Sequence, residues 1–351
     1  MTMKTNSVLK QDMENVCSAD FIDWDRFRGK TILITGATGL IGSTVVNALL
    51  YANEKRSLEM KVLALVRNIT RAEAKFSAYK NSESLKFIVG TVEAIPKIED
   101  SVDFIIHGAS QTASKAFIQQ PVETILTAVQ GTLNLLELAK RKKSEGMVYL
   151  SSMETYGHPQ KGHKVSESDA GALSSLDIRN SYPISKQQCE ALCCAYASEY
   201  GVPAMIARLT QTFGPGVDYN DNRIFAYFGR CIIEKNDIVL KTKGETERDY
   251  LYTADAVTAI LSILLNGEKG TAYNIADETT YCSIAEMARM LADEADIQVT
   301  FDIQDAAANG YLSTLYMDLD TSRLKALGWK VMYPGGLPEI YRRMIECMHK
   351  E

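Results

Sequence analysis

Lys30-Thr-Ile-Leu-Ile-Thr-Gly-Ala-Thr-Gly-Leu-Ile-Gly42 decides the fold of this 351-residue chain. Ile32, Leu33 and Ile34 form a short apolar run, as in a parallel strand covered on both faces. Gly36, Gly39 and Gly42 follow it. The first permits a tight turn, the second lets backbone approach a pyrophosphate at a helix N-terminus, and the third allows close packing of helix on strand. Val45, Val46, Leu49 and Leu50 continue at helical spacing. A glycine loop between a strand and a helix, opening a βαβ unit, reads as a dinucleotide site. The alternative is a structural strand-turn-helix with no ligand.

Strands are expected at Thr31–Thr35, Lys61–Val66, Leu85–Val89, Phe104–His107, Met147–Ser151 and Ala204–Leu209. Helical patterns lie between them, near 40–52, 70–80, 118–143 and 182–200. The alternation predicts an α/β fold: a doubly wound parallel sheet of the Rossmann type with right-handed crossovers. After Gly214-Pro215-Gly216 the pattern is mixed, with helices near 222–235, 254–266, 283–295 and 335–349 and a short strand at Ile238–Thr242. Residues 1–29 read as a polar lead-in holding a short helix. Residues 30–212, with a returning segment at about 245–265, form the dinucleotide-binding domain. Residues 213–244 and 266–351 form a smaller, discontinuous C-terminal part over the carboxyl ends of the strands, where open α/β sheets bind ligands.

The net charge of −6 gives no support for nucleic-acid binding. The apolar runs are well short of a membrane span, and the polar N-terminus has no signal-peptide core. Seven cysteines and four histidines occur without metal-ligand spacing, Cys193 and Cys194 being adjacent on an expected helix. Reduced thiols, a cytoplasmic location and no metal are the expectations.

Tyr182 and Lys186 stand four positions apart downstream of Ser152. On a helix they share a face. A unit charge ~4 Å away at an effective dielectric near 20 is worth roughly 4 kcal/mol, enough to bring a phenol pKa from about 10 to about 7. Such a tyrosine exchanges a proton with a sugar hydroxyl at neutral pH.

The chain resembles the extended short-chain dehydrogenase/reductase superfamily, in its nucleotide-sugar epimerase/dehydratase branch, over roughly residues 29–345. The motifs occur in order: Thr35-Gly36-Ala-Thr-Gly39-Leu-Ile-Gly42, His107-Gly-Ala-Ser110, Gly131-Thr-Leu-Asn-Leu-Leu-Glu137, Ser151-Ser152-Met-Glu154-Thr-Tyr156-Gly157, Tyr182-Pro-Ile-Ser-Lys186, Arg208 through Gly214-Pro215, Arg248-Asp249-Tyr250, Tyr273-Asn274-Ile275, and Asp320-Thr-Ser-Arg-Leu-Lys-Ala-Leu-Gly328-Trp329. The resemblance implies NAD(P) held by Gly36, Thr38, Gly39, Leu40, Ile41, Gly42, Arg67, Ala109, Tyr182 and Lys186. It implies a nucleotide-diphosphate sugar contacted by Gln211, Arg223, Arg248 and Asn274. Arg248 is the foremost candidate for the diphosphate, and Asn274 fits a backbone-organising role equally well. Tyr182 would take the proton of the sugar 4-hydroxyl, Ser152 would hold that oxygen, and Lys186 would depress the tyrosine pKa and bind the nicotinamide ribose. A homodimer packed through the helices at 118–143 and 182–200 is also implied.

Glu154 stands where 4,6-dehydratases and UDP-glucuronate decarboxylases of this branch carry Glu, whereas 4-epimerases usually have a non-acidic residue. Met153 replaces the Asp of dTDP-glucose dehydratases and cannot donate a proton. The expected activity is therefore oxidation at C4 followed by elimination or decarboxylation. The alternatives are a 4-epimerase and a non-catalytic dinucleotide-binding sensor. Leu65-Val66-Arg67-Asn68 offers a guanidinium in place of the acidic residue that accepts a ribose 2′-hydroxyl, which favours NADP while NAD is still accommodated. Thr91, Ala128 and Gln211 depart from the family pattern. The usual Arg ahead of Asp320 has no match in Asn309-Gly-Tyr-Leu-Ser313.

Overall fold

The computed structural model describes residues 6–111, 114–304 and 314–348. The segment Asn309-Gly-Tyr-Leu-Ser313 lies outside the described residues.

The first half alternates as expected. Helix α1 (Ser7–Ser18) leads to β1 (Thr31–Thr35), α2 (Leu40–Arg56), β2 (Lys61–Val66), α3 (Ile69–Lys75), β3 (Leu85–Val89) and β4 (Phe104–His107). Then come α4 (Ser114–Gln119), α5 (Pro121–Lys142), β5 (Gly146–Ser152), β6 (Lys164–Val165), α6 (Ser181–Tyr200) and β7 (Ala204–Leu209). The single helix expected over 118–143 is two. Pro121 opens α5, and Gln120 before it leaves helical geometry at φ −138°, ψ 55°, because a proline disfavours the α conformation in its predecessor.

The second half holds β8 (Gln211–Phe213), α7 (Ile224–Glu234), β9 (Ile238–Leu240), β10 (Glu247–Tyr252), α8 (Thr253–Asn266), β11 (Ala272–Ile275) and β12 (Asp277–Ser283). It closes with α9 (Ile284–Ala295), β13 (Val299–Phe301), β14 (Tyr316–Leu319), α10 (Ser322–Lys325) and α11 (Gly336–Ile345).

The main sheet is parallel throughout, in the order β11-β7-β5-β4-β1-β2-β3. The chain reverses direction across the sheet between β1 and β4, which opens a crevice at their carboxyl ends. β1 is buried at every position, as its unbroken Ile32-Leu33-Ile34 run requires. Helices α2 and α8 cover one face with the larger core cluster, and α5 and α6 cover the other with Leu135, Leu136, Cys189 and Cys193. A smaller sheet, ordered β12-β10-β14-β6 with β8 beside β10, sits beyond these strand ends. No described helix is long and apolar enough to cross a membrane.

The lead-in is more than a polar tail. Asn6 caps α1 through the Leu9 amide, and Val8, Met13, Val16 and Cys17 are buried. Asp12 is buried with them and accepts hydrogen bonds from Tyr252 (2.6 Å), Tyr333 (2.7 Å) and Arg343 (2.5 Å). Burial raises its pKa, against the pull of those partners.

Candidate active site

Gly36 takes φ +68°, and a Cβ there would lie 2.6 Å from the Gly108 carbonyl oxygen. The turn after β1 therefore touches the turn after β4. A Cβ on Gly42 would lie 2.2 Å from the Gly36 oxygen, so the helix seats on the turn itself. Gly39 caps α2 without a side chain, and no acidic residue occupies the first turn. The first-turn amides and the positive helix end are thus available to a pyrophosphate. The residues fit a dinucleotide.

His107 closes the floor of this crevice. Its ring nitrogens lie 2.7 Å from Thr35 Oγ1 and 3.2 Å from Thr132 Oγ1. Burial, aided by the Lys186 charge, pushes its pKa down to about 3, so the ring is neutral. Ala109 donates its amide to Thr35 Oγ1. Arg67 is exposed at the end of β2. Near it stands Glu93, a residue the sequence motifs did not flag. Burial works to raise the Glu93 pKa, but bonds from Thr127 and Thr91 and the Arg67 charge leave it lowered.

Ser152 ends β5, and Tyr182 and Lys186 lie on the first turns of α6, both buried. Lys186 Nζ donates to the Leu150 carbonyl at 2.6 Å and sits 5.5 Å over the Tyr182 ring. The three residues come together, but the electrostatics correct one expectation. Burial raises the Tyr182 pKa, the Glu154 charge raises it further, and only the Ser152 hydrogen bond opposes them. The ammonium faces the ring and the Leu150 carbonyl, so desolvation of the phenol prevails. Burial also lowers Lys186 to about 8, against the raising influence of Cys189, Glu190 and Glu154.

Glu154 follows on a 3₁₀ turn, its amide donating to Ser152 Oγ at 3.2 Å. The residue as a whole is exposed, yet its carboxyl is crowded by protein. That crowding raises its pKa, while Arg248, Arg179 and Lys186 pull it down. Arg179 had no motif to mark it; its place three residues before Tyr182 was the available signal. Met153 turns the other way, accepting from Thr210 Oγ1 in the interior.

β10 supplies Arg248 beside a register shift against β12 that falls between Arg248 and Tyr250. Such a bulge re-aims side chains. Arg248 Nε is buried without a hydrogen-bond partner, a donor suited to an anionic ligand. Its neighbour Asp249 is fully buried, accepts from the Leu319 amide at 2.6 Å and is pushed up to about 8 by burial.

Behind the site lies a buried network. Arg208 holds Glu190 through two bonds (3.0 and 2.7 Å) and donates to Tyr156 at 2.8 Å. Glu190 accepts from Ser151 at 2.5 Å. Tyr156 donates to Asn274 at 2.6 Å, and the Asn274 amide donates to the carbonyls of Val165 and Asp320, each at 3.0 Å. Asn274 is fully buried with its amide committed internally. These bonds give it the backbone-organising role, one of the two expected for it. Arg223 pairs with Asp221 at 2.5 Å and lies against Phe225. Gln211 begins β8, opposite Tyr250.

A dinucleotide crevice joined to a serine, a tyrosine and a lysine defines an oxidoreductase-type site of the Rossmann class. Residues 32–276 match the model of the NAD dependent epimerase/dehydratase family, and the chain belongs to that family. UDP-glucuronic acid decarboxylase 1 of Xenopus tropicalis is 28% identical over 327 residues, covering 92% of this chain and 73% of the relative. UDP-N-acetylglucosamine 4-epimerase of Methanobrevibacter ruminantium superimposes with a TM-score of 0.77 at 20% identity, covering 91% of this chain and 98% of that one. The dTDP-glucose 4,6-dehydratase of Bacillus anthracis, solved in complex with NAD, gives 0.72 at 19%, covering 91% and 96%.

Proposed function

We propose that this enzyme oxidises C4 of a nucleotide-linked uronic acid and releases carbon dioxide from the 4-keto intermediate. The observation that carries the proposal is the placement of Glu154: a carboxyl two residues beyond Ser152, its pKa raised by burial, with two arginines near it and no acid at Met153. NAD(P)+, when bound, supplies the hydride acceptor and a positive ring. Tyr182 takes the proton of the 4-hydroxyl while Ser152 holds that oxygen. Lys186, held on the Leu150 carbonyl and over the phenol ring, would bind the nicotinamide ribose. The C6 carboxylate is then β to a ketone, and the C5–C6 bond breaks with its electron pair moving into a C4–C5 enolate. Glu154 supplies a proton to C5, Arg179 having held the C6 carboxylate beforehand while Arg248 holds the diphosphate. With the hydride given back to C4 by the dinucleotide, when bound, Tyr182 would return its proton to O4, leaving a nucleotide pentose.

The test is incubation with UDP-glucuronate, UDP-glucose, GDP-mannose and dTDP-glucose in deuterated water, read by NMR. A pentose carrying one solvent deuterium at C5 is expected, and Glu154→Gln should abolish it. A 6-deoxy-4-keto product would assign a dehydratase. A C4 epimer, formed equally well by Glu154→Gln, would overturn the proposal in favour of an epimerase. Tyr182→Phe with full biological activity would leave only a dinucleotide-binding sensor.

The sugar nucleotide is held by residues 213–244 and 266–351 together with Gln211 and Arg248. Arg67 favours NADP through its guanidinium, and the dinucleotide retained through purification decides this. The protein pairs with a second copy through α5 and α6. In support, Ile118, Val122 and Leu126 expose an apolar stripe along α4 and α5, and Ile178, on the turn that packs against α4, is exposed as well. A purely monomeric sedimentation profile would exclude the pairing.

A further inference from the structure

The ring of Phe117 lies flat on the ring of Tyr182, with centroids 4.4 Å apart and planes within 4°. Both are buried. Phe117 belongs to α4, in the stretch between the dinucleotide crevice at β4 and Pro121. Its backbone carbonyl accepts from Ser181 Oγ at 2.9 Å. Two consecutive residues of α6 thus grip one residue of α4, one through its backbone and one through its ring. The Lys186 ammonium reaches over the same tyrosine ring at 5.5 Å. The χ2 torsion of a tyrosine is broad and roughly two-fold, so backbone position alone does not fix the ring plane. A parallel ring in contact with it does, and stacked pairs have their own geometric preference.

We infer that Phe117 is a positioning residue: it sets the plane of the Tyr182 ring, and so the in-plane directions in which the phenolic oxygen, itself on the χ2 axis, offers its proton and lone pairs to Ser152 and the sugar hydroxyl. This rests on Tyr182 being the proton acceptor, as argued above. A leucine at 117 keeps the site apolar but presents no flat face. A tyrosine keeps the face. An alanine removes both and admits water to the phenol, whose pKa burial had raised.

The experiment measures kcat, KM and the pH profile of F117Y, F117L, F117A and Y182F with UDP-glucuronate, with circular dichroism and dinucleotide retention recorded for each. F117Y should stay within about threefold of wild type. F117L and F117A should lose about tenfold to a hundredfold in kcat, the scale of a misoriented reacting group, with KM little changed. The acid limb of kcat should move to lower pH in F117A and stay in place in F117L. If F117L keeps the kcat of F117Y, the ring plane is irrelevant and the inference is overturned. The same holds if Y182F is inactive while F117A is as fast as wild type. A Y182F enzyme as fast as wild type would instead defeat the reading of Tyr182.

Discussion

Replacing Arg208 by leucine leaves the Glu190 carboxylate buried without its cation. The pair is enclosed, with the arginine side chain 13% exposed and the glutamate 8%. Glu190 would lose bonds of 2.7 and 3.0 Å and keep only the Ser151 hydroxyl. Removing one partner of a buried pair costs about 3–5 kcal/mol, mostly the penalty of the stranded charge. Unfolding entropy near 2.1 cal/mol/K per residue gives about 0.74 kcal/mol/K for 351 residues, so the melting temperature should fall by about 4–7 °C. Differential scanning calorimetry at pH 7 reads this directly. Adding Glu190→Met should restore at least half of the loss, because an apolar pair of similar volume replaces two charges. A single variant that melts within about 1 °C of wild type would refute the reasoning, as would a double variant no better than the single.

Gly42→Ala places a Cβ 2.2 Å from the Gly36 carbonyl, backbone against backbone. It should abolish retention of dinucleotide while far-UV circular dichroism stays close to wild type; normal retention would show that the turn yields freely. Asp249 bears on pH. Its folded pKa, about 8, lies above the ordinary carboxyl value. The folded state therefore holds the extra proton, and the associated stability is complete at low pH and lost as pH rises through about 8. Asp249→Asn keeps an acceptor for the Leu319 amide and carries no charge. Its urea midpoint should exceed wild type at pH 8.5, with the gap narrowing toward pH 5; a gap that widens toward pH 5 would contradict the sign.

The parallel sheet was legible because a strand buried on both faces must be apolar along its length, and β1, β2 and β4 are. The glycine loop, Ser152, Tyr182 and Lys186 were legible because their chemistry is tied to spacing. The smaller sheet was not. Its strands run from two to seven residues and take their pairing from neighbours far along the chain, as when β8 and β10 meet. The break before α5 was visible in Pro121 but masked by an apolar pattern that continues through it. The charge on Lys186 could be counted from sequence, whereas the burial that outweighs it at Tyr182 belongs to the packed site alone. Arg179 and Phe117 carry no motif, since their roles come from where α4 and the turn before α6 meet the site.

Asp12 has a history in time as well as a place. Its partners Tyr252 and Arg343 lie 240 and 331 residues further along the chain. At about 5–20 residues per second, a ribosome delivers Arg343 roughly 17–66 s after Asp12. An ionised carboxylate without a partner is not taken out of water. Docking of α1 before then would bury Asp12 without its cation, so α1 is expected to dock only after α11 has been made.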